Sequence, residues 1–85
     1  MHTIWKRQLT PVAMTTTLEM PALAKVVHVA EQHGYPTIWY DVPDYNAPKT
    51  LRTFHVIETG GYARGEYRGT VLLHGGAYVL HVYEE

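Results

Sequence analysis

Proline and glycine cut this chain into short runs. Pro11, Pro21, Pro36, Pro43 and Pro48, with Gly34, Gly60, Gly61, Gly65, Gly69, Gly75 and Gly76, leave little room for helices of ordinary length. Turn signals spaced about 8–12 residues apart are the mark of small all-β sandwiches and barrels. The intervening segments suit that reading, because ten threonines and seven tyrosines favour pleated, half-buried surfaces.

Seven strands follow from the punctuation, over residues 2–9, 15–20, 25–32, 36–42, 51–58, 67–74 and 77–83. We expect an all-β fold, a small antiparallel meander of six to seven short strands forming a barrel or sandwich. The one stretch with a helical alternative runs from Pro21 to Gly34, with proline at a first helical position and glycine beyond the end. Three valines and a strong hairpin signal favour a strand there.

Two hairpins have a register that can be read directly. Folding on His33-Gly34 pairs Val29 with Ile38 and Val27 with Tyr40 on one face, and His28 with Trp39 and Ala30 with Thr37 on the other. Folding on Gly75-Gly76 pairs Leu73 with Tyr78, Val71 with Leu80 and Gly69 with Val82, which makes a core side. The opposite side carries Arg68, Thr70, Leu72, Val79, His81 and Tyr83. It is expected to pack on the N-terminal strands or on another subunit.

The residue inventory excludes much chemistry. With no cysteine and no serine, disulfide frameworks, cysteine-based zinc sites, serine triads and cysteine nucleophiles are all ruled out. Seven basic against eight acidic residues give a net charge of −1, so there is no basic footprint for duplex DNA. No apolar run approaches the roughly 18 residues of a membrane span, and the N-terminus lacks a signal-peptide core, so a soluble intracellular protein is expected. Six histidines occur without HxH or HxxxH spacing and read as scattered structural residues, with no metal and no cofactor. Asp41, Asp44, Glu58 and Glu66 form no evident pair for acid–base work, which favours a non-catalytic protein. At 85 residues the chain makes one small domain with edges to protect, so a homo-oligomer, a two-fold dimer first of all, is expected.

Two segments carry the candidate sites. In the glycine-rich stretch 60–69, backbone amides can cradle an anion, Arg64 and Arg68 can contact phosphate, and Tyr62 and Tyr67 can stack on a base. The loop around Tyr45, with Lys49 and Arg52 after it, offers the tyrosine and arginine anchors typical of interfaces. Trp5 and Trp39 read as core or subunit-interface residues.

A set of strings, in order, resembles a family of small proteins of tailed bacteriophages and prophages. They are Ile4-Trp5-Lys6, Glu19-Met20-Pro21, Gln32-His33-Gly34-Tyr35-Pro36, Ala47-Pro48-Lys49, Arg52-Thr53-Phe54-His55-Val56, Thr59-Gly60, Tyr67-Arg68-Gly69-Thr70, Leu73-His74-Gly75-Gly76 and His81-Val82. No activity is attached to that family, so no functional residue is carried over. The resemblance implies a phage-encoded protein of the host cytoplasm that antagonises host defence. The first expectation is an oligomer that sequesters a small phosphorylated nucleotide signal. The alternative is an inhibitor that binds and blocks a host defence protein, and a third reading is an accessory virion or assembly protein.

Overall fold

The computed structural model describes residues 2–10 and 15–85. Pro11, which separates the first two strands in the sequence, lies outside the described residues. Seven strands form in chain order: β1 (Thr3–Gln8), β2 (Thr15–Pro21), β3 (Lys25–Gln32), β4 (Tyr35–Val42), β5 (Lys49–Glu58), β6 (Glu66–Leu73) and β7 (Tyr78–Glu84). The Pro21–Gly34 stretch is a strand and its turns, as the valines require. Every pairing is antiparallel.

The strands sort into a three-stranded sheet, β1-β4-β3, and a four-stranded sheet, β2-β5-β7-β6. The fold is therefore the expected all-β sandwich, but its path is not a meander. Only β3–β4 and β6–β7 are neighbours in both sequence and space; β1 pairs with β4, β2 with β5 and β5 with β7. Crossing between sheets lets each sheet contribute an apolar face to one core. Ile38, Tyr40 and Val42 from β4 meet Phe54, Val56, Val71, Leu80 and Val82 from the other sheet, all buried. A helix is absent among the described residues apart from a short 3₁₀ turn at His74–Gly76.

Both hairpin turns take the conformation that their residues permit. His33 and Gly34 have φ of 55° and 84°, and Gly75 and Gly76 have 67° and 97°. Positive φ at both central residues lets the His33-Gly34 turn match the strand twist. In the second hairpin His74, at φ 51°, joins the two glycines, so four residues, His74 to Ala77, connect Leu73 to Tyr78 where two were expected. The registers Val29–Ile38, His28–Trp39, Ala30–Thr37, Leu73–Tyr78, Val71–Leu80 and Gly69–Val82 all form.

Each hairpin also contains one bulge that periodicity does not reveal. In β3 the ladder shifts between Val26 and His28, so Tyr40 faces Val26, not Val27, and Asp41 faces Lys25, not Val26. Val27 is left exposed as the extra residue. In β6 the shift falls between Tyr67 and Gly69. A bulge re-aims a side chain, and Arg68, expected on the outer side with Thr70, turns inward to Glu84. The bulged strands are the edges that meet. A Cβ on Gly69 would lie 2.7 Å from Val29 Cβ, so only glycine admits this closeness of β3 to β6.

The outer side of the β6–β7 hairpin is covered only in part among the described residues, by the loop after β5 beside His81 and Tyr83. Leu72 is exposed, and Val79, His81 and Tyr83 are half-buried. Among the described residues no helix is long and apolar enough to cross a membrane.

Candidate functional site

The glycine-rich segment forms a loop over the outer face of the larger sheet. Gly60, at φ 94°, reverses the chain, and the Gly61 amide donates to the Glu58 carbonyl at 2.9 Å. The loop leaves a cleft of about 280 Å³ against β5, lined by Thr15, His55, Ile57, Glu58, Tyr62 and Arg64. At its floor lies His55, with a side chain only 6% exposed. Its Nδ1 shares a hydrogen bond with Thr15 Oγ1 at 3.1 Å and its Nε2 with Glu85 Oε1 at 3.2 Å. Arg64 Nε reaches the same Glu85 oxygen at 3.4 Å, with 71% of the side chain in water. Tyr62 is 98% exposed. The cleft is smaller than most ligand pockets, and Glu58 and Glu85 set two carboxylates against the one guanidinium.

The two other candidate ligand residues are elsewhere. Tyr67 stacks edge-on against Tyr83, with centroids 5.5 Å apart, and its hydroxyl bonds Thr70 Oγ1 at 2.6 Å. That hydroxyl continues to His81, whose ring nitrogens bond Thr70 at 3.0 Å and Thr59 at 2.8 Å. Arg68 is occupied internally. It donates to Glu84 at 2.9 Å and to Glu66 at 3.2 Å. Arg52 grips the same Glu84 carboxylate through Nε at 2.5 Å and Nη2 at 3.1 Å, and donates through Nη1 to the Ala24 carbonyl at 2.6 Å. Burial acts to raise the Glu84 carboxyl, but the hydrogen bonds and charges of Arg52 and Arg68 outweigh it and hold it below the usual range. The arrangement is an ion cluster at one end of the core.

The remaining interface candidates separate. Trp5 points inward, edge-on to Tyr40 at 6.4 Å, with Lys49 Nζ 5.6 Å above its ring. Tyr45 stands exposed in the β4–β5 loop, which Asp44 shapes by accepting from the Asn46 amide at 2.9 Å. Trp39 alternates with the buried Ile38 and Tyr40, so it faces away from the core on the central strand of the smaller sheet. Lys6 stands opposite it on β1 and His28 on β3, the latter ring 5.5 Å away. Exposed Ile4 and Tyr35 share this face. Lys6 donates to Gln32 at 2.6 Å, and at the end of this face His2 Nδ1 shares a hydrogen bond with Asp41 Oδ1 at 2.9 Å.

The sequence reading missed His55 and Glu85 as parts of the cleft, and Glu84 as the partner of both arginines. The alternation that sets His55 in β5 and Glu84 in β7 was visible; the loop and strand that meet them were not. No group of three metal-ligating side chains occurs among the described residues.

Fold and surfaces together define a seven-stranded antiparallel β-sandwich with an aromatic sheet face and a small loop-covered cleft. The chain matches the model described as Domain of unknown function (DUF7352) over residues 1–85, and it belongs to that family. No curated protein and no solved structure matches it.

Proposed function

We propose that this chain is a non-catalytic binding protein that attaches to a partner protein through the outer face of the β1-β4-β3 sheet. The observation that carries this reading is Trp39, set in the middle of a solvent-facing sheet between Lys6 and His28. A tryptophan with exposed apolar neighbours such as Ile4 and Tyr35 is the composition of an interface centre. The resemblance to small proteins of tailed phages supports a host defence protein as the partner, blocked in the host cytoplasm. Engagement of Arg68 and Arg52 with Glu84 weighs against the nucleotide-sequestering alternative, because it leaves Arg64 as the one arginine at the cleft.

The test compares wild-type and Trp39→Ala proteins as bait in a host extract. A host protein should be retained at stoichiometric level by wild type and by Tyr45→Ala. Its affinity for Trp39→Ala should fall at least about tenfold, as for a central aromatic anchor. Equal retention by Trp39→Ala would refute the assignment of this face.

The second reading keeps a small phosphorylated ligand in the cleft, favoured by the exposure of Arg64 and Tyr62 beside His55. Native mass spectrometry separates the two. A retained mass of a few hundred daltons, lost in Arg64→Ala, would move the function from the sheet face to the cleft.

A further inference from the structure

The sandwich has four strand edges, and three are guarded. β3 and β6 carry bulges and close on each other at Val29 and Gly69. β1 carries Lys6 and Arg7 at consecutive positions. Bulges and charged side chains are the usual protections of an edge. β2, Thr15-Thr16-Thr17-Leu18-Glu19-Met20-Pro21, has no bulge and no basic residue; Glu19 is its one charge, Pro21 stands at its end, and among the described residues it is the outer strand of its sheet.

The direction of its backbone groups can be derived. The Ala22 amide donates to Pro48 at 2.8 Å, in continuation of the β2–β5 ladder. In antiparallel pairs, residues alternate between bonding the partner and facing away from it. Met20, Leu18 and Thr16 therefore bond β5, and Thr15, Thr17 and Glu19 direct N–H and C=O outward. The other side of β5 agrees: the Glu85 amide donates to Thr53 at 2.9 Å, so Thr53 serves β7 and the even-numbered residues of β5 serve β2. Pro21 falls on an outward position, where its missing N–H disrupts no bond within the sheet.

We propose that β2 pairs with β2 of a second copy of this chain, antiparallel about a two-fold axis at Thr17. In that register Thr17 exchanges both backbone hydrogen bonds with Thr17 of the second copy. Thr15 does the same with Glu19 of the second copy, in both directions. Like charges never stand opposite, and threonine faces threonine at the centre, a favourable cross-strand pair. The interface is isologous, as a closed dimer requires, and it joins two four-stranded sheets into one of eight strands. It also completes the cleft. Thr15 lines that cleft beside His55, so Glu19 of the second copy comes to its rim. This inference stands apart from the protein-binding face, which is on the other sheet.

Sedimentation equilibrium of the full chain, with amide exchange measured by NMR, tests it. Wild type should sediment as two chains, with the amides of Thr15, Thr17 and Glu19 protected at high concentration and exchanging freely on dilution. Thr17→Pro removes the central donor at an outward position and should sediment as one chain with its β-type circular dichroism retained. Thr17→Lys, which sets two ammonium groups face to face, should do the same and serves if the proline variant does not fold. A single-chain wild type at all concentrations overturns the proposal. So does a dimer that survives the variants with these three amides unprotected.

Discussion

Replacing Arg52 with alanine should lower the stability of this protein by about 3 kcal/mol, the usual cost of breaking a buried ion pair by removing one partner. Arg52 supplies two hydrogen bonds to Glu84 and one to the Ala24 carbonyl, and the Glu84 side chain is only 8% exposed. Without it, Arg68 alone faces a desolvated carboxylate and a backbone acceptor loses its donor. For a domain of this size, the loss corresponds to a fall in Tm on the order of 15 °C, readable by calorimetry. Geometry rather than charge pairing as such carries the effect. A combined variant with apolar residues of similar volume at positions 52, 68 and 84 should recover much of the loss, because well-packed hydrophobes replace buried ion clusters at little cost.

The same cluster sets an acid limit. The Glu84 carboxyl is held below its ordinary value in the folded chain. The unfolded chain takes up that proton first, at about pH 4.3. The contribution of Glu84 is therefore complete above that pH and is lost as pH falls through the lower folded value. Comparing Tm against pH for wild type and Glu84→Gln should show the wild-type advantage shrinking across that acid range.

Gly65→Ala should cost about as much, roughly 3 kcal/mol, and for a reason confined to the backbone. Gly65 has φ of 95°, a conformation that costs an L-residue about 1–2 kcal/mol. A Cβ there would also lie 2.7 Å from the Glu84 carbonyl carbon and 3.0 Å from the Glu85 nitrogen. Overpacking against such rigid neighbours adds about 1–3 kcal/mol. Gly60 is the internal comparison. Its φ is 94° with nothing within 4 Å of an added Cβ, so Gly60→Ala should show the conformational cost alone. Urea unfolding of the two variants measures the difference. An equal loss in both would show that Glu84 and Glu85 do not hold Gly65 in place.

Much of the fold was legible because turns are local. His33-Gly34, and Gly75-Gly76 with His74 beside it, adopt positive φ through local preference, and each turn then dictates the first pairs of its hairpin. The bulges were not legible, since an extra residue in a strand is stabilised by what the strand packs against. Val27 and Arg68 were misplaced for that reason. The candidate sites suffered more. Tyr62 and Arg64 do share one cleft, but the charge that decides the use of Arg68 and Arg52 belongs to Glu84, far from both in the chain. The same holds for the tryptophans. Composition marks both as anchors, but only the two-residue periodicity of paired strands sends Trp5 inward and Trp39 outward.

By itself, the sequence determined the all-β class, strand positions to within one or two residues, the two turns and the registers nearest them. These depend on dihedral preference and alternation, which act within a few residues. The tertiary structure alone decided that β1 joins β4 and β2 joins β5, that Glu84 claims two arginines, and that β2 is left at the edge of its sheet. Each of those outcomes depends on surfaces distant in the chain meeting across one core, and no local preference records which surface will arrive.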